Sequence, residues 1–585
     1  GQGVYGLENS YESTLAGVNG RTITLRNAYG NAIADENATT YAAKDGSNLV
    51  LSLDVNIQEV VERYLNEAVA ANTVENRGCA IVMNVKTGAI LAMASKPDFD
   101  PNDPQDFSAN LAYLTEQVQA EPELYTIYKK DENGNYLRDE NGQKIVDAEA
   151  DYTGTYRDIQ WKNKTITELY YPGSVFKVIT AAMGVDSGKA TYYTTLNCSG
   201  AYSVAKQTYH CAGRKAHGAQ NLAEALRNSC NIYLIQLGQR VGSSLFYDYF
   251  DAFGFTERTG VDLPNETSFM QYYSKSRLGE VELASSAFGQ AMAVTPLQVC
   301  TAVSAAVNGG YLVTPHVVDK ITDQNGNVVQ EIGTNIRRQV ISEETSRQVC
   351  KLMEGVVTYG SGKNAAVPGY SIGGKTGTSE KLDSDRGYYT YSFVGVAPMD
   401  DPKVAVLLIL DEPYETDLYG STVAAPVVGA ILSEILPYMG VETNYTAAEL
   451  ATINVTVPNA VGQSAHMGMA AMTQKQLSAV IVGGGDTVIA QVPASGSVIQ
   501  KGSTVILYTD QESQEQKAIV PDVRGKTGQV VNTILTNAGL NLDADGIGRI
   551  SDTAVAIEQS IEPGTEVPRG TPVSYTHLRA HETRS

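Results

Sequence analysis

Positive charge is in short supply. The chain sets 43 Lys and Arg against 65 Asp and Glu, a formal net charge of −22 over 585 residues. A phosphate-binding surface needs a basic field, so this balance argues against nucleic acid as a partner. The acidity otherwise serves solubility. Long apolar runs are also missing. The longest, Val404–Leu410, is strand-sized and far short of the ~20 residues a membrane-spanning helix needs. There is no initiator Met and no signal-type segment. The chain opens on Gly1-Gln2-Gly3 as if inside a domain, so an N-terminal part is expected to precede it. Cysteines number six, and no two stand as Cys-x-x-Cys. That argues against zinc, and no metal or other cofactor is expected. Cys198 and Cys211 flank a polar loop and could pair as a disulfide outside the cytoplasm. Cys79, Cys230, Cys300 and Cys350 read as small core hydrophobes.

What is present is enough apolar material, 43% of residues with only 18% charged, to build several large cores. Residues 1–47 are Gly-, Asn- and Thr-rich with short alternation, as in Arg21-Thr22-Ile23-Thr24-Leu25, and read as the remnant of a truncated domain. Asn56–Ala70 has helical periodicity. Cys79–Asn84 and Ala89–Ala94 form a hairpin around Val85-Lys86-Thr87-Gly88. The stretch from Pro97 to Thr167 is polar and insertion-like. Within it Asp131-Glu132-Asn133-Gly134 returns as Asp139-Glu140-Asn141-Gly142, two turns of an exposed hairpin. They lack the ordered ligand spacing of a calcium loop. Helices follow over Asn221–Arg227 and Ile232–Val241. Another covers Leu283–Val307, broken near Thr295-Pro296. Strands Tyr391–Ala397 and Val404–Leu410 lead to a last helix, Val423–Leu436. Helices around an antiparallel sheet make residues 48–440 an α/β or α+β domain.

Beyond a linker, Val457-Pro458 with Gly462 returns as Val520-Pro521 with Gly525, an offset of 63, and Gly496 with Gly502 returns as Gly564 with Gly570, an offset of 68. Two copies of one small α+β domain, 455–510 and 518–575, are expected, with a helix at Gln529–Asn537 in the second. The basic, His-bearing stretch 576–585 differs from the acidic repeat it interrupts and reads as foreign sequence.

Chemistry converges on three motifs. Ser174-Val175-Phe176-Lys177 follows Tyr171-Pro172-Gly173 and opens the apolar run Val178–Met183, so a serine in the first turn of a buried helix has an amine one turn away. Ser229-Cys230-Asn231 interrupts two helices; the plain reading is a pair of caps. Lys375-Thr376-Gly377-Thr378 leads into strands. Each pattern is cheap alone. Ser203-x-x-Lys206 repeats the first, Ser108-x-Asn110 the second, and Lys86-Thr87-Gly88 and Lys526-Thr527-Gly528 the third. Only one ordered trio has each member in a suitable setting. It matches the known signature of class A β-lactamases and penicillin-binding proteins.

On these residues the chain resembles a class B penicillin-binding protein of the division or sporulation type with two C-terminal PASTA domains. Gly6-Leu7-Glu8, Thr259–Pro264, Gly289-Gln290 and Thr295–Gln298 support the likeness. Tyr171 departs from it, since the family commonly has Glu there, and so does the 97–167 insertion. The resemblance implies a penicillin-binding, serine β-lactamase-like fold and a D,D-transpeptidase that cross-links peptidoglycan stem peptides and is acylated by β-lactams. It implies Ser174 as nucleophile, Lys177 as a base if burial or nearby positive charge lowers its pKa, and Lys375 as a source of that charge and of attraction for the substrate carboxylate. Ser229 would relay a proton, and Asn231 would orient Lys177 and bind substrate. Thr376, Gly377 and Thr378 would hold the carboxylate, and the backbone N–H groups of Ser174 and Thr378 would form the oxyanion hole. No histidine is required, and His210, His217 and His316 have ordinary structural readings. The likeness also implies an N-terminal membrane anchor, an extracytoplasmic location, a SEDS-type glycan polymerase as partner and a homodimer through the N-terminal part. A D,D-carboxypeptidase, a β-lactamase, or a β-lactam or muropeptide sensor remain the alternatives.

Overall fold

The computed structural model describes residues 3–23, 29, 39–147, 150–381, 388–414, 419–446, 449, 452, 454–501, 503–511, 517–524, 526, 531, 534–535, 538–542 and 555–578. It divides into two compact units, residues 1–366 with 372–431 and residues 367–371 with 432–585.

The first unit is built on a five-stranded sheet. Its strands are β1 (Val74–Asn84), β2 (Ile90–Lys96), β3 (Gly373–Glu380), β4 (Tyr389–Ala397) and β5 (Val404–Pro413), in the order β3-β4-β5-β1-β2. Every pair is antiparallel, with Lys375 opposite Val394 and Leu407 opposite Ile81. The centre of β1 and nearly all of β5 are buried on both faces, which is why Val404–Leu410 reads as an unbroken apolar run rather than an alternation. The hairpin expected at Val85–Gly88 is present, with Gly88 at φ +82. A Cβ there would meet the Thr314 carbonyl at 2.5 Å, so the turn admits only glycine.

The helices that matter for the site are α1 (Val55–Ala71), α2 (Lys177–Asp186), α3 (Asn231–Val241), α4 (Pro296–Val307), α5 (Glu343–Tyr359) and α6 (Ala425–Tyr438). Asp54 caps α1 by accepting from the amides of Asn56 and Ile57. Thr295 and Gln298 form a capping box at α4, with Pro296 in the first turn, which explains the break in the Leu283–Val307 pattern. All twelve residues of α4 are buried. The helical stretch Gly420–Tyr438 has the length and hydropathy of a membrane span, which the sequence reading had denied to the chain; 56% of its apolar window is buried inside the fold, as for a core helix.

The insertion is more structured than expected. Helices Leu111–Ala120 and Thr153–Gln160 flank a meander in which Leu137 N donates to Lys129 O and Ile145 N to Leu137 O. Asp131 and Asp139 close its two turns by accepting backbone amides.

In the second unit the repeat is visible in pairing. Asn454–Thr456 pairs with Val498–Gln500 as Lys517–Ile519 pairs with Glu566–Pro568. A bridging glutamine recurs with it. Gln491 bridges Ala460 N (2.7 Å) and Pro458 O (3.0 Å), and Gln559 bridges Val523 N (2.9 Å) and Pro521 O (3.1 Å). Tyr575–Leu578 pairs with Val555–Gln559, so the opening residues of the 576–585 stretch are in a strand. Thr24, Leu25, most of Gln529–Asn537 and residues 579–585 lie outside the described residues.

Candidate active site

The chain before Ser174 is fixed on two sides. Tyr170 exchanges backbone hydrogen bonds with Val294 (3.0 and 3.1 Å), and Gly173 N donates to Gly289 O at 3.0 Å. Gly173 has φ +52, and a Cβ there would lie 2.9 Å from the Thr378 carbonyl. Glycine therefore lets this turn reach β3. Ser379 Oγ donates to Tyr171 O at 2.7 Å across the same seam. Ser174 was expected in the first turn of an α-helix. It lies instead in a 3-10 turn, Gly173–Phe176, and α2 begins at Lys177. The tighter winding of a 3-10 turn eclipses residues three apart, which stacks Lys177 over Ser174 more directly than an α-turn would. Phe176 anchors the turn among Phe246, Phe250 and Phe255, with centroids 5.4–6.1 Å away.

The Ser229 loop ends helix Leu222–Arg227 in a Schellman motif. Cys230 N donates to Ala225 O (2.8 Å) and Ser229 N to Leu226 O (3.1 Å). Ser229 occupies the position where glycine is usual, at φ +50, a conformation that costs a non-glycine residue about 1 kcal/mol or more. The strain aims its hydroxyl between two lysines. Asn231 is half-buried at the start of α3, and its Nδ2 donates to His210 O at 2.8 Å, which leaves Oδ1 pointing at Lys177.

Lys375, fully buried on β3, donates to Ser229 Oγ (2.9 Å), Thr376 O (3.1 Å) and Thr376 Oγ1 (3.2 Å). Gly377 has no room for a side chain, since a Cβ would lie 2.1 Å from Ser392 Oγ. Thr378 Oγ1 accepts from Gly420 N at 3.5 Å.

Lys177 Nζ, also fully buried, has four oxygens around it. They are Asn231 Oδ1 (2.6 Å), Ser229 O (2.7 Å), Ser174 Oγ (2.9 Å) and Ser229 Oγ (3.2 Å). The amide and carbonyl oxygens can only accept, so they take two N–H groups. A neutral amine then has one lone pair left, and the Ser174 hydroxyl stands in reach to donate into it. Burial lowers Lys177 from its ordinary value to about 8. Burial, and then the charge of Lys177, hold Lys375 well below the lysine range.

The structure therefore brings together Ser174, Lys177, Ser229, Asn231, Lys375 and Thr376, with Gly377 and Thr378 beside them on β3. The decoys fall elsewhere. Ser203-x-x-Lys206 sits on the hairpin Ala201–Val204/Gln207–His210, and Lys86 is in the β1–β2 turn. Sequence reading missed Ser361, whose hydroxyl is 3.3 Å from Thr376 Oγ1, because it belongs to no motif. It also misjudged the cysteines. Cys198 and Cys211 are free thiols 3.6 Å apart, not a disulfide, and they gather with Cys230 and His217 into a cluster that could hold a metal.

Residues 78–433 match the family described as penicillin binding protein transpeptidase domain, and residues 455–511 and 518–574 each match the PASTA domain. The chain is 33% identical over 534 residues to stage V sporulation protein D of Bacillus subtilis, covering 88% of this chain and 74% of that protein. It is 29% identical over 445 residues to peptidoglycan D,D-transpeptidase FtsI of Escherichia coli, covering 75% of this chain and 64% of that protein. A crystal structure of penicillin binding protein 3 from Mycobacterium tuberculosis, complexed with aztreonam, superposes with a TM-score of 0.58 at 25% identity over 76% of this chain and 87% of that one.

Proposed function

This chain belongs to the penicillin-binding protein transpeptidase family and carries two PASTA domains, and on that premise we propose that it is a class B peptidoglycan D,D-transpeptidase working through an acyl-enzyme on Ser174. The observation that carries this is the set of four oxygens around Lys177, in which the Ser174 hydroxyl, at 2.9 Å, is the nearer of the two hydroxyls that can donate into the lone pair of a neutral amine. Lys177 takes that proton as Oγ attacks the carbonyl of the penultimate D-Ala. The backbone N–H groups of Ser174 and Thr378 receive the oxyanion. The contact of Gly173 with the Thr378 backbone supports this pairing, and such donors contribute about 3–4 kcal/mol each. Ser229, within reach of both lysines, returns the proton to the departing D-Ala amine. Thr376 and Thr378 offer hydroxyls to the substrate carboxylate, with Lys375 holding Thr376 and Ser229 in place. An acceptor amine from a neighbouring stem peptide then attacks the acyl-enzyme and completes the cross-link.

The same geometry supports covalent inhibition by β-lactams, whose carbonyl and carboxylate stand in for the D-Ala-D-Ala terminus. We assign the chain to wall synthesis in division or sporulation, anchored at the outer face of the membrane beside a SEDS-type polymerase, with self-association through an N-terminal part. The test is intact-mass spectrometry with a penicillin and turnover of a pentapeptide donor with an amine acceptor. One adduct, lost in Ser174→Ala, together with amine-dependent transfer is expected. Adduct formation on Ser174→Ala overturns the nucleophile. Hydrolysis without transfer indicates a carboxypeptidase or β-lactamase, and stable acylation without turnover indicates a sensor.

A further inference from the structure

Beside the active site, three thiols and an imidazole converge from four separate segments. Cys198 ends strand Leu196–Cys198, Cys211 follows strand Gln207–His210, His217 precedes strand Gly218–Gln220, and Cys230 is the residue before α3. Cys211 Sγ lies 3.6 Å from Cys198 Sγ and 3.5 Å from Cys230 Sγ, and Cys198 Sγ lies 3.5 Å from His217 Nδ1. All four donor atoms fall within 4.8 Å of one another. The three cysteines are buried and His217 is half-buried.

These distances have a specific meaning. Tetrahedral zinc holds sulfur at about 2.3 Å and imidazole nitrogen at about 2.0–2.1 Å, so its S···S edges are about 3.8 Å and its S···N edges about 3.5 Å. The three measured separations fit those edges. Three thiols also cannot all be satisfied by one disulfide, and Cys211 stands equally close to both of the others. Soft sulfur donors with one imidazole favour zinc over the harder divalent ions. The absence of Cys-x-x-Cys had argued against zinc, but here the ligands are thirteen, six and thirteen positions apart, a spacing that only the tertiary fold closes.

We propose that Cys198, Cys211, His217 and Cys230 bind one structural zinc ion that positions the Ser229 loop. Cys230 lies between Ser229 and Asn231, the residues that contact Lys177. A metal bond to its sulfur ties the strained Ser229 to the ends of three strands that carry no catalytic group. The ion touches no reacting atom, and these four are positioning residues.

The experiment uses the full chain purified under reducing conditions from zinc-replete cells. Elemental analysis should find about one zinc per chain, falling to less than about a tenth in Cys198→Ser and His217→Ala, because structural sites need all four ligands. His217→Cys keeps a tetrahedral donor set and should retain the metal, which separates ligand loss from misfolding. Cobalt(II) exchange should give the intense visible bands of a tetrahedral site with thiolate charge transfer. Returning zinc to the metal-free chain should raise Tm and restore the acylation rate by the same titration. Purified protein without metal and with three titratable thiols, a disulfide among the three cysteines, or a weak octahedral cobalt spectrum would each overturn the proposal. Metal content and cobalt spectra do not depend on acylation, so this test fails or succeeds separately from the proposed function.

Discussion

If burial of Lys177 creates the base, acylation must follow its titration. With Lys177 held at about 8, about a tenth of the amine is neutral at pH 7 and about nine-tenths at pH 9. The second-order rate constant for acylation by a fluorescent penicillin, measured by stopped flow, should therefore rise about tenfold over that range. Burial sets the shift, so Lys375→Met should lower the rate while leaving the limb near 8. A rate flat from pH 6 to 9 refutes the base assignment. A limb that moves upward in Lys375→Met refutes burial as the cause. The same titration bears on stability. The folded pKa lies below the unfolded value, so the unfolded chain binds more protons between about 8 and the ordinary lysine value of 10.5. Stability rises with pH through that window, and below it the buried cation costs about 3 kcal/mol. Lys177→Met removes this dependence, and its Tm should gain less than the wild type's between pH 8 and 10.

Two further substitutions probe the geometry around the amine. Asn231→Asp replaces the amide oxygen 2.6 Å from Lys177 Nζ with a carboxylate, which stabilises the ammonium; the acylation limb should move up by more than one pH unit, and the rate at pH 7 should fall more than tenfold. Gly289→Ala sets a Cβ 2.1 Å from Gly173 O at φ +84, so it should cost more than about 1 kcal/mol in urea unfolding and slow acylation at least a hundredfold by displacing the Ser174 turn.

The trio of motifs was legible because each member is short and local, and because the decoys could be rejected by their settings as turns. The geometry that makes the trio work was less legible. Nothing in Tyr171-Pro172-Gly173-Ser174 distinguishes a 3-10 turn from an α-helix start, since the choice follows from the contact of Gly173 with Thr378. The left-handed Ser229 was hidden for the opposite reason. A Schellman position normally announces itself with glycine, and a serine there reads as an ordinary cap. Helix α5 was overlooked although its buried Val349, Leu352, Met353 and Val356 recur at helical spacing, a signal present in the residues themselves. The Cys198, Cys211, His217 and Cys230 grouping carried no such signal, because it depends on two hairpins folding back onto the start of α3.

The strained and costly elements are concentrated in one place. Gly173 and Ser229 hold left-handed backbone, two lysines are wholly buried within reach of one hydroxyl, and each of these works against folding. They support one another through the lysine contacts to Ser229, and the Ser174 turn is also supported from the sheet. Arg77 on β1 is buried between Asp411 of β5 and Glu168, and its Nη2 donates to Leu169 O at 2.6 Å, just ahead of the Ser174 turn. Asp411 also accepts from Asn76 (2.8 Å) and Thr390 (2.6 Å). This network fixes the chain entering the turn to the most buried strands, where a one-sided loss would leave a buried charge costing about 3–5 kcal/mol. The Ser229 loop is tied to the sheet through Lys375 of β3, whose Nζ donates to Ser229 Oγ at 2.9 Å. Its backbone is otherwise held by the Schellman pair and by Lys177 Nζ, which donates to Ser229 O at 2.7 Å, and the proposed metal bond to the sulfur of Cys230 would add a constraint next to the left-handed Ser229.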